Sequence, residues 1–266
     1  PHLDYNLQRL GSTESKIKKD LQEIDTIVGG LIHFFQSRGV EVSILSEYGI
    51  TEVSRPIYPN RLFRQKGWLQ IKDELGLELL DCGASRAFAI TDHQVANIYL
   101  NDPSIETEVR TALEKLPGVA KIYDRSTRSE IGLDHDRAGD LIAFSDEDAW
   151  FAYYHWFDDS RAPDFARCVD VHRKYGYDPV ELFFDPTKSL VKGRILFNLL
   201  KKKLGLRMLM DVIPLDATLV KGSHGTLPTN RDDWAVLIGN FSSPLNGEYH
   251  EATEVHGRLL ERFAES

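Results

Sequence analysis

One apolar stripe constrains this chain more than any other feature. Ile17, Leu21, Ile24, Val28, Leu31 and Phe35 recur at steps of four and three, which places them on one face of a helix. Lys16, Lys18, Lys19, Asp20, Glu23 and Asp25 form its solvated side. Ser12 or Thr13 can cap its start and Gly39 can close its end. A short apolar strand, 40–45, follows directly, and Ser46-Glu47-Tyr48-Gly49 ends it. A long helix feeding straight into a strand is an α/β unit, and a polar cluster at the carboxyl end of such a strand is where ligands usually sit.

Downstream the pattern changes. A short helix over 60–66, closed by Gly67, leads into a hairpin over 68–71 and 77–80. Strands at 88–90 and 96–100, a helix over 105–116 and strands at 119–123 and 140–144 then make a β-β-α-β-β run. Pro103 precedes that helix and Pro117-Gly118 follows it. Such a run fits a small α+β lobe inserted into a larger domain. Helical character returns at 191–204, which ends in Lys201-Lys202-Lys203 as suits a helix C-terminus, and again at 254–264. The reading divides the chain into a core segment 1–80, a lobe 81–150 and a return to the core over 151–266.

Composition excludes several classes. With 266 residues, 42% apolar and 27% charged, the chain is long enough for a sizeable core and is not of disordered composition. A net charge of −9 argues against a nucleic-acid polymer or a general membrane-surface binder, which need a basic footprint. No apolar run approaches the ~20 residues of a membrane span. Cys82 and Cys168 stand far apart, so neither a disulfide framework nor a thiolate zinc site is indicated. A reducing, cytoplasmic compartment is the preference this usage gives.

Three short clusters combine carboxylate or imidazole with turn-forming backbone: His2-Leu3-Asp4-Tyr5, Ser46-Glu47-Tyr48-Gly49 and Gly222-Ser223-His224-Gly225. Zinc and similar ions favour mixed His nitrogen and carboxylate oxygen. Glycines flanking His224 let the backbone turn sharply and bring the imidazole close to a ligand.

The order of these clusters resembles the metal motifs of the type I phosphodiesterase/nucleotide pyrophosphatase branch of the alkaline phosphatase superfamily, which includes phosphonoacetate hydrolase. That family has an Asp followed four residues later by a His before a long helix, a Ser-Asp-His-Gly at the end of the next strand, and a distant Gly-x-His-Gly beyond an inserted lobe. Here Asp4, Ser46-Glu47-Tyr48-Gly49 and Gly222-Ser223-His224-Gly225 stand in those places, with Asn60-Arg61-Leu62 following the second motif. The resemblance implies a three-layer α/β/α alkaline-phosphatase-like core with a smaller inserted α+β lobe. It implies a hydrolase of small phosphorylated or phosphonate substrates that uses one or two divalent ions, zinc by preference. Asp4, Glu47 and His224 would be metal ligands. The family's nucleophile comes from a segment upstream of its first motif, so the layout also implies that the amino-terminal part of the domain is absent and that no residue here is the nucleophile.

Departures are specific. Gln8 stands where the family has His, and Glu47 and Tyr48 replace its Asp and His. His2 could compensate, since two residues apart on an extended backbone it would point the same way as Asp4. These changes motivate the alternative of a non-catalytic pseudoenzyme or binding module on the same fold. Read without the family layout, His2 and Asp4 belong to a loop entering the first helix, Gln8 is a polar residue on that approach, and Tyr48 is a packing residue. Asp92-His93 and Asp134-His135 read as solvated turns, His172-Arg173-Lys174 as a surface loop, and His33 as partly buried helix structure. The aromatic run from Trp150 to Phe157 reads as core, and Lys201 to Lys203 as a solvated helix end.

Overall fold

The computed structural model describes residues 2–13, 15–169, 173–177, 180, 183–239 and 250–265. In chain order these form α1 (His2–Leu10), α2 (Ser15–Gln36), β1 (Ser43–Leu45), β2 (Thr51–Glu52), β3 (Arg55–Ile57), α3 (Pro59–Gln65), β4 (Gln70–Glu74) and β5 (Leu77–Asp81). There follow β6 (Ala87–Asp92), β7 (Val95–Leu100), α4 (Glu106–Glu114), β8 (Val119–Asp124), β9 (Leu141–Ser145), β10 (Ala149–Phe151) and β11 (Gly176–Tyr177). The last elements are α5 (Val191–Lys203), β12 (Gly222–Ser223), β13 (Leu237–Gly239) and α6 (Val255–Glu265). The class is mixed α/β, as the alternation of helical and strand patterns predicts.

The long helix forms where its stripe predicts, and Gly39, at φ +73°, closes it in the left-handed conformation that glycine adopts without penalty. The burial of the stripe differs from expectation. Only Ile17 is buried, whereas Leu21, Leu31 and Phe35 are exposed. Periodicity fixes the helix, but it does not fix what covers it. His33, expected to be partly buried, is exposed on the same helix. Just before α2 the Glu52 carboxylate accepts from Ser12 Oγ, Thr13 N and Thr13 Oγ1, so among the described residues these side chains bond to Glu52.

The largest sheet has the order β11-β6-β7-β9-β8. Neighbours are antiparallel except β11, which runs parallel to β6. Alternation in β6 and β7 turns Ala87, Ala89, Ala96 and Ile98 inward, and Val109 and Leu113 of α4 join the same apolar cluster. The β4–β5 hairpin packs there too, through Leu80.

A second cluster gathers Val53, Tyr153, Tyr154, Trp156, Phe165, Val212 and Ile213. The two cores share β10. Ala149 and Phe151 belong to the first and Trp150 to the second, as expected of a strand covered on both faces. The aromatic run is core up to Trp156, while Phe157 is exposed and carries the Arg64 guanidinium 4.5 Å above its ring.

Candidate active site

The three motifs are joined through β12. It pairs antiparallel with β2, Ser223 opposite Thr51, and Val53 N donates to Lys221 O at 3.0 Å. On its other side it lies against α1, where Lys221 N donates to Gln8 O at 2.7 Å. Gly222 makes this approach possible, because a Cβ there would sit 2.4 Å from Leu7 O. Gly225 turns the chain away at φ +120°, a conformation that side chains disfavour. The two glycines flanking His224 thus have different tasks, close approach on one side and a sharp turn on the other.

The amino-terminal cluster is helical rather than extended. Asp4 and Gln8 lie one turn apart on α1, and Gln8 Nε2 donates to Asp4 Oδ1 at 2.8 Å. Gln8 is 1% exposed, so it is an internal helix residue and not a polar residue on a loop. The extended backbone that would have aimed His2 alongside Asp4 does not exist, and the His2 side chain lies outside the described residues.

Tyr48 ties the clusters together. Its hydroxyl donates to Asp4 Oδ1 at 3.4 Å, and its ring stacks on His224 with centroids 3.6 Å apart and planes at 12°. The His93 ring lies 3.9 Å from His224 at 35°. At such separations Tyr48 and His93 cannot share one face of the imidazole without overlapping. His224 is therefore sandwiched between them, Tyr48 on the outer side and buried His93 on the inner side. Asp4, Tyr48 and His224 converge, and the exposed Glu47 lies near enough for its charge to act on both Tyr48 and His224. Among the described residues no three His, Cys, Asp or Glu side chains gather at ion-holding distance.

Electrostatics follow from the packing. Burial lowers the pKa of His224, and the carboxylates of Asp4, Asp92 and Glu47 pull it the other way. Burial, then the neighbouring His224, pushes His93 down to about 3. Tyr48 is raised by burial and then by the negative charges of Asp4 and Glu47. At neutral pH the site therefore holds neutral imidazoles beside carboxylates. His224 Nε2, Ser223 Oγ and Gln8 Oε1 are buried with no hydrogen-bond partner among the described residues.

His93 and Gln94 are the residues that sequence reasoning missed. Asp92-His93 is visible as an Asp-His pair, but its reading as a solvated turn is half wrong: Asp92 is exposed, while His93 is 6% exposed. His93 and Gln94 form the β6–β7 turn, which reaches the site. Gln94 N donates to His224 O at 3.0 Å, Gln94 Oε1 accepts from Thr226 N at 3.4 Å, and Gln94 Nε2 donates to Glu147 O and Ala149 O. Asp134 and His135 are exposed turn residues, as read. His172 lies outside the described residues. Arg173 pairs with Asp164 at 3.0 Å, but Lys174 is buried, so that stretch is not wholly a surface loop.

A family model described as type I phosphodiesterase/nucleotide pyrophosphatase matches residues 1–178. Among solved structures the chain is similar to an inactive form of murine ectonucleotide pyrophosphatase/phosphodiesterase 5 in complex with AMP. The identity is 19% and the TM-score 0.42, over 58% of this chain and 38% of that one. It is similar to phosphonoacetate hydrolase from Sinorhizobium meliloti in complex with phosphonoformate at 17% identity and a TM-score of 0.42, over 60% and 38%. Human ectonucleotide pyrophosphatase/phosphodiesterase 5 gives 16% and 0.41, over 82% and 56%. The chain thus spans less than two thirds of the length of each of these proteins. No curated protein matches it at a significant level.

Proposed function

The chain belongs to the type I phosphodiesterase/nucleotide pyrophosphatase family, whose model takes in residues 1–178, and from that premise we propose that it forms the metal-holding face of a hydrolase acting on a small phosphorylated or phosphonate substrate. Asp4, Glu47 and His224 would hold one or two divalent ions, zinc by the chemistry of a mixed carboxylate and imidazole set. His2 is the remaining candidate ligand. The observation that carries this reading is the meeting of the three clusters at Tyr48, bonded to Asp4 and stacked on His224. The donor set suits such an ion because His224 is a half-buried imidazole whose buried Nε2 has no protein partner among the described residues.

A bound ion would stabilise negative charge on a phosphoryl oxygen. The rest of the work falls to the chain's own residues. Gln8 donates to Asp4 Oδ1 and so fixes the carboxylate against α1. Burial disfavours protonation of His224, which leaves one ring nitrogen with a lone pair at neutral pH. Gln94 anchors the backbone on either side of Gly225 and so fixes where the imidazole stands.

A second reading, a non-catalytic binding module, is favoured by one specific observation. Asp4 Oδ1 already accepts from both Gln8 and Tyr48, the two positions where the family pattern has histidine. Elemental analysis of the dialysed full-length protein and its hydrolysis of an aryl phosphoester separate the two. The hydrolase reading expects bound zinc, and it expects His224→Ala to lose on the order of a hundredfold in metal affinity and activity with an unchanged circular dichroism spectrum. A folded wild-type protein that retains no metal and cleaves no ester supports the binding module instead.

A further inference from the structure

The segment 188–210 carries Lys188, Lys192, Arg194, Lys201, Lys202, Lys203 and Arg207 and no Asp or Glu, in a chain whose net charge is −9. Helix α5 is its centre. At 3.6 residues per turn, Val191, Ile195 and Asn198 share one face, and that face is docked. Val191 and Ile195 pack on the second core cluster, and buried Asn198 donates through Nδ2 to Leu209 O at 2.9 Å. The opposite face presents Leu196, Phe197, Leu200 and Leu204, which are 70%, 57%, 51% and 65% exposed. Both borders of this stripe are basic. Lys192 and Lys203 line one, and Lys201 and Arg194 line the other. Lys201 Nζ lies 4.7 Å from the centre of the Phe197 ring, and Arg194 also pairs with Asp211.

We propose that the outer face of α5 is a docking surface for an anionic lipid bilayer. An apolar stripe between two rows of cations suits a helix lying in the membrane interface, with its leucines and phenylalanine at the acyl boundary and its lysines at the level of the headgroups. Charge is what selects this occupant. It distinguishes α5 from the exposed helix α2, which mixes Lys18 and Lys19 with Glu23 and Asp25, whereas α5 carries no acid of its own and Asp211 offsets Arg194 but not the lysines of its borders. The overall charge of −9 opposes a general attraction to membranes. It does not govern this face, because screening confines electrostatic attraction to about 10 Å and the local cations set the field there.

Co-sedimentation of the intact protein with phosphatidylcholine vesicles, with and without phosphatidylserine, tests the proposal. Binding is expected only to the phosphatidylserine-containing vesicles, weakening as salt is raised. The double variant Lys201→Glu/Lys203→Glu should bind about tenfold or more weakly. Phe197→Ser/Leu200→Ser should remove binding even at low salt, while circular dichroism reports the same helix content as wild type. Absence of wild-type binding, or equal binding to both vesicle types, overturns the proposal. So does a wild-type dimer that Phe197→Ser/Leu200→Ser converts to monomer, since the stripe would then be the seat of a second copy. None of these outcomes depends on the phosphoester reading.

Discussion

Gln94 is fully buried, yet its amide is bonded at both ends. Its Nε2 donates to the carbonyls of Glu147 and Ala149, and its Oε1 accepts from Thr226. Truncation to Ala would strand these backbone groups in the interior and open a cavity, at a cost of about 2–4 kcal/mol. Gln94→Glu keeps the size but turns the donor into an oxygen facing two carbonyl oxygens, so it should cost more than Ala. Denaturant titration measures both losses, and faster hydrogen exchange at the Thr226 amide would locate the loosening beside His224. Equal stability of the two variants would sink this account, because it rests on the donor. The residue's role was not legible in the sequence: a Gln after an Asp-His pair has no motif, and its partners come from chain 53 to 132 residues away. Asp4, Glu47 and His224 were picked out by the order of the family's motifs along the chain, and their role as ligands is the proposal that the metal analysis tests. Their substituted neighbours Gln8 and Tyr48 were noticed as departures, but their contacts with Asp4 depend on α1 being helical.

At the scale of elements, what could be read had punctuation or length. Gly67 marked the end of α3, Pro103 and Pro117-Gly118 bracketed α4, and alternation marked β6 and β7. α1 was missed although Leu3, Leu7 and Leu10 recur at steps of four and three, because three positions are a short period and its place against α2 and β12 is a tertiary effect. The strands β2, β3, β10 and β12 have two or three residues each, too short to show a period, and β10 was hidden inside an aromatic run. The β4–β5 hairpin shows how a turn can be read correctly and still be built from an unfavourable residue. Leu75 and Gly76 both have positive φ, +56° and +85°, the requirement of a two-residue type I′ turn, which favours Asn-Gly. Leu75 is fully exposed and gains nothing by packing. Leu75→Asn should therefore stabilise the protein by about 0.5–1 kcal/mol, read as a rise of about 2 °C in Tm. A fall in Tm would sink this account of the turn.

Across the whole molecule, the two cores meet along one buried band from β10 to Trp156, and that band sets the response to acid. His155 is 0% exposed. Its Nε2 lies 3.0 Å from Glu78 O, so the neutral ring donates there, and its Nδ1 has no partner among the described residues. Protonation would add a charge and a second unpaired N–H inside the core. Burial, opposed by the hydrogen bond to Glu78 O and aided by the nearby charges of Arg64 and Arg61, holds its pKa at about 4, against an ordinary 6.5. His93 at the site is held lower still, at about 3. The unfolded chain therefore binds more protons than the folded one from about pH 6.5 downward. Stability must fall as the pH falls through this window, by on the order of 3 kcal/mol from His155 alone once pH 4 is reached. Asp124, held down to about 2 by its hydrogen bonds to Ser126, contributes only at lower pH. The urea midpoint should accordingly be lower at pH 4.5 than at pH 7.5. His155→Gln can keep a donor toward Glu78 O but cannot titrate, so it should flatten part of that dependence; a slope identical to wild type would show that His155 titrates alike in the folded and the unfolded chain and would contradict this account.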